Sequence, residues 1–218
     1  MIKVTHLTKR FVQQVAVDDL SFTIEPGEVV GFLGPNGAGK STTMKMLTGF
    51  LQPCEGNVSI CGFDIGKQTL QAQRLIGYLP EGAPCYGDMS VGDFLSFIGQ
   101  VRGYRGKELK QRVARAIALV ELERVVEQNI DTLSKGFKRR VGLAQAVMHD
   151  PKVLILDEPT DGLDPNQKHQ VRKLIKSLAV DRIVIISTHI LEEVSALCTR
   201  AMVISHGRLL IDETPYAL

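Results

Sequence analysis

Residues 29–43 read VVGFLGPNGAGKSTT, and this stretch predicts how the rest of the chain is arranged. A short apolar run, Val29 to Leu33, is typical of a buried strand, and Thr42 to Gly49 can form a helix. The loop between them fits the phosphate-binding pattern G-x-x-x-x-G-K-[ST] at its fixed positions, which are Gly34, Gly39, Lys40 and Ser41. Strand, loop and helix therefore come in the order that a phosphate-binding loop requires.

The loop predicts a site for a nucleoside triphosphate. Glycines allow the backbone to curl so that successive N–H groups point at one anion, and the helix N-terminus adds partial positive charge. Lys40 is expected to supply an ammonium group for the β- and γ-phosphates, and Ser41 a hydroxyl for Mg²⁺. The predicted binding residues of this stretch are Gly34, Pro35, Asn36, Gly37, Ala38, Gly39, Lys40, Ser41 and Thr42.

The composition is that of an ordinary globular chain. At 218 residues, 44% of them hydrophobic and 23% charged, the chain is long enough for one α/β core with an inserted subdomain. Its net charge of +2 argues neither for nor against nucleic acid. The four cysteines form no CxxC pair, which favours reduced thiols over a zinc site. No signal-peptide core is visible and the apolar runs are too short to span a bilayer, so a role at a membrane would require a partner.

Hydrophobic periodicity divides the chain into three parts. Residues 2–33 are predicted to be strands joined by short turns. The separate strands predicted there include Val15–Val17 and Leu20–Ile24. A helical pattern covers about 91–128, and a further helix is predicted from Ser134 to Met148. From residue 152 to residue 205 strands and helices alternate, which is typical of a parallel sheet with crossover helices.

Another apolar strand is predicted to end in two carboxylates, Asp157 and Glu158, within the run VLILDE at 153–158. On a parallel sheet the carboxyl ends of the strands open onto the ligand crevice. Asp157 is therefore expected to hold Mg²⁺ through its water shell, and Glu158 to accept a proton from an attacking water. Strands often end in solvated acids, and the phosphate-binding loop is what favours the site over that alternative.

Three further stretches resemble the motifs of ABC-type ATPases. Residues 156–165, LDEPTDGLDP, resemble the joined Walker-B motif and D-loop of that family. Residues 133–137, LSKGF, resemble its signature motif, which is usually LSGGQ, and residues 187–189, STH, resemble its switch-histidine loop. The order of these motifs along the chain is the order found in the family, and the resemblance extends from about residue 2 to residue 213.

The resemblance implies a fold class and a domain organisation. The fold is expected to be α/β: a P-loop NTPase core with a mostly parallel sheet and flanking helices, an N-terminal antiparallel β subdomain and an inserted helical subdomain. The chain is expected to be a single domain over residues 1–218. Its core lobe would comprise 1–90 and 150–218, and the helical subdomain about 91–149.

The resemblance also implies an ATP sandwich made by two copies of the chain, each phosphate loop facing the partner's signature. Ser134 and Gly136 would then reach the γ-phosphate in trans, and Ser134 can serve as a helix N-cap as well. His189 would contact the γ-phosphate in its own subunit and orient the water with Glu158. Phe11 stands where the family has an aromatic that stacks on adenine, the alternative being a core phenylalanine. The implied catalytic residues are Glu158, His189 and Lys40, with ATP and Mg²⁺ bound.

The sequence departs from the commonest family pattern at several positions. Lys135 and Phe137 replace a glycine and a glutamine of the signature, and Lys135 is expected either to add charge near the phosphates or to face solvent. Glu81 stands in place of the usual Q-loop glutamine, and a carboxylate can ligate Mg²⁺ but cannot donate a hydrogen bond. Asp161 stands at a D-loop position where the family often has serine or asparagine, and we predict no functional effect from this difference. The expected metal ligands are Ser41, Glu81 and Asp157.

The variants YLPE and LSKGF resemble the exporter branch in which the ATPase is a separate polypeptide, as in drug, polysaccharide and gliding-motility systems. This implies an integral-membrane permease subunit as partner and a location on the cytoplasmic face of the cell membrane. The loop at 82–89 would lie near the groove that receives a cytoplasmic helix of that subunit, or would simply be a flexible loop.

Two other functions are disfavoured. Translation-factor relatives that clamp ribosomes carry two ATPase domains with a charged linker, and DNA-repair relatives carry long coiled coils. This chain has neither, so no nucleic acid partner is expected. A regulatory switch with little hydrolysis conflicts with the presence of Asp157, Glu158 and His189. Residues 212–218 are predicted to lead into a further helix, and many members of the resembled family continue past this point, so the chain is expected to be part of a longer protein.

Overall fold

The computed structural model describes residues 1–83 and 85–218. Its strands are β1 (Ile2–Phe11), β2 (Gln14–Ile24), β3 (Val29–Leu33), β4 (Glu55–Ile60), β5 (Phe63–Asp64), β6 (Ile76–Leu79), β7 (Val153–Asp157), β8 (Ile183–Thr188), β9 (Arg200–Ser205) and β10 (Arg208–Glu213). Its α-helices are α1 (Lys40–Leu47), α2 (Thr69–Gln73), α3 (Val91–Val101), α4 (Gly106–Leu119), α5 (Lys135–Val147), α6 (Pro165–Leu178) and α7 (Leu191–Leu197).

Two sheets form the framework. One sheet has six strands in the order β10-β9-β3-β8-β7-β6, all parallel except β10. The other has four antiparallel strands in the order β2-β1-β4-β5. Strands β7 and β8 are buried along their whole length, as expected for central parallel strands covered on both faces. Because β3, β7 and β8 run in the same direction, the loops that follow them meet at one edge of the sheet.

The predicted α/β fold class is confirmed, and β3 has the predicted bounds, Val29–Leu33. The prediction of two separate strands at Val15–Val17 and Leu20–Ile24 is wrong. They form the single strand β2, because pairing with β1 continues across an irregular register in which Asp19 adopts φ = +55°. The helical pattern predicted to about residue 128 ends earlier, at Leu119, and it is divided near Gly103, whose φ is +95°.

Residues 212–218, which are predicted to lead into a further helix, begin in a strand, and the further helix stays a prediction. Asp212 and Glu213 belong to β10 and pair with β9. The Asp212 carboxylate accepts hydrogen bonds from both Nε and Nη2 of Arg200, which fixes the strand conformation there. Only a single 3₁₀ turn, Pro215–Ala217, follows.

Helix α5 joins the helical segment to the large sheet. It contacts α3 and α4, and its Gly142 lies so close to β6 that an added Cβ would be 2.5 Å from Cδ1 of Leu79. One hydrophobic cluster runs from Val91 and Leu95 of α3 through α5 to β7 and β8. The division of the chain at about 91–149 stays a prediction. Within residues 1–83 and 85–218, no helix is long and apolar enough to cross a membrane.

Candidate nucleotide-binding and hydrolysis site

The loop between β3 and α1 requires glycine at two of its fixed positions. Gly39 is the N-cap of α1 and has φ = +104°, and a Cβ on it would lie 2.4 Å from the carbonyl oxygen of Ala16. A Cβ on Gly34 would lie 2.2 Å from the carbonyl oxygen of Ile204. No side chain caps the N-terminus of α1, and its first turn contains no acidic residue. This helix end therefore presents backbone N–H groups and positive potential to an anion.

Lys40 is held inside the loop that it follows. The residue is only 5% exposed, and its Nζ donates to the carbonyl oxygens of Gly34 at 2.8 Å and Pro35 at 3.2 Å. The same ammonium lies 3.5 Å from Oε1 of Glu158. These three oxygen partners hold the ammonium in position at the wall of the cavity, where it is placed to receive a phosphate oxygen.

Ser41 and Asp157 meet as the sequence predicted. Ser41 Oγ donates to Oδ1 of Asp157 at 3.2 Å, and Ser187 Oγ donates to the same oxygen. The other oxygen, Oδ2, is buried and has no hydrogen-bond partner among the residues that the structure describes. A buried carboxylate oxygen without a donor, next to a hydroxyl, fits a hard divalent cation.

The predicted metal site has few protein ligands. Among the residues that the structure describes, no group of three or more histidine, cysteine, aspartate or glutamate side chains could hold a metal ion. Glu81 is exposed and lines the same cavity as the phosphate loop. This donor set matches Mg²⁺, which is usually bound by one or two protein groups, water and substrate phosphates.

Glu158 is fixed immediately beyond β7. Its backbone has φ = +49°, a conformation that costs free energy for a residue other than glycine. Its N–H lies within hydrogen-bonding distance of both the carbonyl oxygen of Ser187, at 3.2 Å, and the Ser187 hydroxyl, at 3.0 Å. Its Oε2 is 3.1 Å from Nδ1 of His189. The carboxylate thus lies between the Lys40 ammonium and the His189 imidazole.

These groups surround a cavity of about 460 Å³, large enough for a nucleotide. The residues that line it are Phe11, Gln14, Ala16, Asn36, Gly37, Gly39, Lys40, Ser41, Thr42, Glu81, Glu158, Asp161 and His189. Gly34, Pro35 and Ala38 do not line it, although the carbonyls of Gly34 and Pro35 hold Lys40. Asp157 does not line the cavity either, but it accepts a hydrogen bond from Ser41, which does. Most of the predicted nucleotide residues therefore converge on one space.

Phe11 lies at the edge of this cavity and is not a core residue. It ends β1, and 45% of its surface is exposed. Nζ of Lys9 is 5.4 Å from the centroid of the Phe11 ring. The alternative of a core phenylalanine is therefore wrong, and an open aromatic face remains at the cavity mouth.

Ser134 and Gly136 lie elsewhere in the same chain. They line a shallow recess of about 60 Å³ that shares no lining residue with the nucleotide cavity. Ser134 caps α5, as predicted, by accepting a hydrogen bond from the N–H of Phe137 at 3.4 Å. Nζ of Lys135 is 3.5 Å from the position of a Cβ on Gly162, so this ammonium lies against the predicted D-loop of its own chain.

Two side chains contribute to the site without having been predicted. Ser187 contacts both Asp157 and Glu158, and the only signal for it is its position at the end of a strand that pairs in parallel with β7. Arg139 on α5 is 7% exposed, and its Nη1 has no hydrogen-bond partner within residues 1–83 and 85–218. Burial lowers the pKa of Arg139, while the carboxylates of Asp161 and Glu81 act in the opposite direction. Nothing in the sequence distinguishes Arg139 from its basic neighbours.

Comparison with known proteins identifies the family. A family model described as ABC transporter matches residues 17–161, more than half of the chain. The chain belongs to the ABC transporter family. The Nod factor export ATP-binding protein I of Burkholderia lata is 38% identical to this ABC protein over 98% of the chain and 70% of that relative. The linearmycin resistance ATP-binding protein LnrL of Bacillus subtilis is 36% identical over 96% of the chain and 68% of that relative.

Solved structures agree with the fold of this ABC protein. The structure of cbiO1 from Clostridium perfringens, described as part of the ABC transporter complex cbiONQ, has a TM-score of 0.89 at 30% identity and covers 99% of this chain and 89% of its own. The dimeric structure of MJ0796, a bacterial ABC transporter cassette, has a TM-score of 0.89 at 25% identity and covers 99% of both chains. The predicted resemblance is confirmed: this is an ATP-binding ATPase subunit of an ABC transporter. The chain spans about two thirds of the length of its curated relatives.

Proposed function

We propose that the chain is the ATPase subunit of an exporter, in which two copies close around two Mg-ATP and drive a separate membrane subunit. The observation that carries the proposal is the Glu158 carboxylate, held between Lys40 and His189 at the end of the phosphate-loop cavity. The names of two relatives, a Nod factor export protein and a linearmycin resistance protein, support the export direction.

Each side chain has a role that its contacts support. The Lys40 ammonium would bind the β- and γ-phosphate oxygens of ATP, and Ser41 and Asp157 would hold Mg²⁺. When bound, Mg²⁺ would neutralise charge on the phosphates. Glu158 would accept a proton from the water that attacks the γ-phosphate, and His189 would hold the γ-phosphate and orient Glu158. Phe11 would stack on adenine through its exposed ring face.

A second copy would complete the site. Ser134 and Gly136 line a recess apart from the cavity of their own chain, at the N-terminus of a thirteen-residue helix with no acidic residue in its first turn. Such a helix end suits the γ-phosphate of a partner's ATP. The dimeric form of MJ0796, a structure similar to this one, supports a dimer of the chain.

A groove beside β6 would receive the membrane subunit. Its volume is about 520 Å³, and it is lined by Lys45, Thr48, Phe50, Gln73, Ile76, Tyr78, Pro80, Arg102 and Gln145. The Phe50 side chain on its rim is 78% exposed, as suits an apolar docking surface. In the predicted docking loop at 82–89, Tyr86 packs edge-to-face against Phe94 and Phe97, while Pro84 lies outside the described residues. The chain would then sit on the cytoplasmic face of the membrane.

Copurification tests the proposal. Tagged Glu158→Gln protein would be expressed in the native cell, and membranes would be solubilised gently with Mg-ATP present. A multi-span membrane protein is expected to copurify, and Phe50→Glu in the same background should lose it while still binding ATP. Val180→Glu, which changes an exposed valine just after α6 and outside the groove, should retain it. Copurification of ribosomes or nucleic acid instead would contradict the proposal.

A further inference from the structure

Glu193 is a buried carboxylate that does not line the nucleotide cavity. It lies in the first turn of α7 and is only 2% exposed. Its Oε1 accepts a hydrogen bond from Oγ1 of Thr160, and its Oε2 accepts one from Oγ1 of Thr188 at 2.8 Å. Two cations face it from α6: Nζ of Lys168 at 3.4 Å and Nη2 of Arg172 at 3.9 Å. The carboxylate is therefore fully engaged inside the protein.

The two threonines belong to the two loops that carry the hydrolytic side chains. Thr160 follows Glu158 by two residues, and Thr188 immediately precedes His189. Thr160 is 1% exposed and Thr188 is completely buried, so water cannot substitute for the carboxylate. The Thr188 hydroxyl also accepts a hydrogen bond from the N–H of Ile190 at 3.1 Å, which fixes the backbone on the far side of His189.

A single carboxylate thus ties together the segments from which Glu158 and His189 project. Those two side chains themselves meet at 3.1 Å between Oε2 and Nδ1. If glutamine replaced Glu193, the two cations of α6 would lose their counter-charge, and one oxygen instead of two would remain to accept hydrogen bonds from the hydroxyls of the two loops. The loops would then be free to shift relative to each other, and an error of about 1 Å in the position of a reacting group can lower a rate by about 100-fold.

We infer that Glu193 is a positioning residue for ATP hydrolysis, which sets the relative position of Glu158 and His189 through Thr160 and Thr188. The inference rests on the proposed roles of Glu158 and His189. It predicts that Glu193 affects turnover while leaving ATP binding unchanged, because the Lys40 loop that binds the phosphates does not contact it.

The test compares steady-state turnover and ATP affinity in Glu193→Gln. This change removes the charge and keeps the size of the side chain. We expect kcat to fall between about 10-fold and about 100-fold, with KM and the dissociation constant for ATP within about 2-fold of wild type. Thr160→Val combined with Thr188→Val should lower kcat similarly, and adding Glu193→Gln to that pair should have little further effect, because the three groups act as one unit.

Matched controls separate positioning from simple destabilisation. Glu192→Gln makes the same chemical change one residue earlier, on a side chain that is 78% exposed and pairs with Arg172, and it should leave kcat unchanged. Val194→Ala removes buried volume from α7 and keeps both threonine hydrogen bonds to Glu193, so it should lower the melting temperature and leave kcat unchanged. Equal loss of kcat in Val194→Ala and Glu193→Gln would overturn the inference, as would an unchanged kcat in Glu193→Gln.

The outcome for Glu158→Gln keeps the two proposals apart. If Glu158→Gln abolishes turnover while Glu193→Gln does not lower it, only the positioning role fails. If Glu158→Gln hydrolyses ATP normally, the proposed role of Glu158 fails first, whatever Glu193→Gln shows. The imidazole NMR signals of His189 give a second readout. Glu193→Gln should shift these signals, and the control variant Glu192→Gln should not.

Discussion

At the scale of single residues, Glu158 is the group on which hydrolysis depends most. Changing it to glutamine should lower turnover by about 10²- to 10⁴-fold, because an amide cannot accept the proton of the attacking water. ATP binding should persist, since Lys40 keeps its two carbonyl partners in the loop. Phosphate release at saturating Mg-ATP and equilibrium dialysis with ATP measure the two quantities. Normal phosphate release would remove Glu158 from the role of general base.

Glu81 should matter much less. Its side chain is exposed at the cavity wall, and the buried carboxylate next to Ser41 is Asp157. Glu81→Gln is therefore expected to retain measurable turnover, with a change within about 10-fold, and to alter the Mg²⁺ concentration at half-maximal rate. The rate would be measured across a Mg²⁺ titration, with Glu28→Gln as a control outside the cavity. Complete loss of turnover would contradict this expectation.

At the scale of elements, His149 links the end of α5 to the start of β6. Its Nε2 lies 2.9 Å from the carbonyl oxygen of Ile76, and its buried Nδ1 has no hydrogen-bond partner in the described part of the chain. Burial, and next the charge of Arg102, lower the pKa of His149 to about 4. An unfolded histidine titrates near 6.5, so between about pH 4 and pH 6.5 the unfolded chain binds more protons than the folded one.

Stability from His149 is therefore present above about pH 6.5 and is lost as the pH falls toward 4. The loss is roughly 3 kcal/mol at most, from about 1.4 kcal/mol for each pKa unit. His149→Gln can still donate to Ile76 and does not titrate, so it should flatten the dependence of unfolding free energy on pH in this range. Urea unfolding at several pH values measures it, with exposed His169→Gln as the matched control. The same slope in His149→Gln and wild type would refute the assignment.

At the scale of the whole molecule, the separation of the signature recess from the nucleotide cavity predicts complementation between two defective chains. Lys40→Met should inactivate the phosphate loop. Ser134→Asp keeps a good helix N-cap and places a negative charge against the partner's γ-phosphate. Each variant alone should be inactive. Mixed together, they should form dimers with one intact site, made by the loop of one chain and the signature of the other.

Random exchange of chains would give up to about one quarter of wild-type activity in this mixture, because half of the dimers are mixed and each has one working site. The measurement is ATPase rate against mixing ratio, with a maximum expected near equal amounts. A mixture of Lys40→Met with Glu158→Gln is the control. Each chain supplies both Lys40 and Glu158 to one nucleotide site, so each site of a mixed dimer would carry one of the two changes and no intact site would form. Activity of Ser134→Asp alone at the wild-type rate would contradict a role in trans.

Much of this architecture could be predicted from the sequence by itself. Strand β3, the phosphate loop and α1 depend on neighbouring residues: an apolar run, glycines at fixed spacing and a following helix. The meeting of Ser41 with Asp157 also followed, because parallel strands end at the same edge of a sheet. The extent of strand β2 could not be predicted, because the sequence at a bulge inside a paired strand resembles that of a turn.

Tertiary structure alone decided which polar groups are buried and which face a partner. Glu192 and Glu193 are identical neighbours in sequence, yet one is exposed at the surface and the other lies beneath two loops and α6. Ser134 has the local pattern of a helix cap, and only the packing of α5 places it away from its own nucleotide cavity. The physical reason is the same in both cases. Burial and juxtaposition are set by elements far apart in the chain, whereas loops and strands are set largely by adjacent residues.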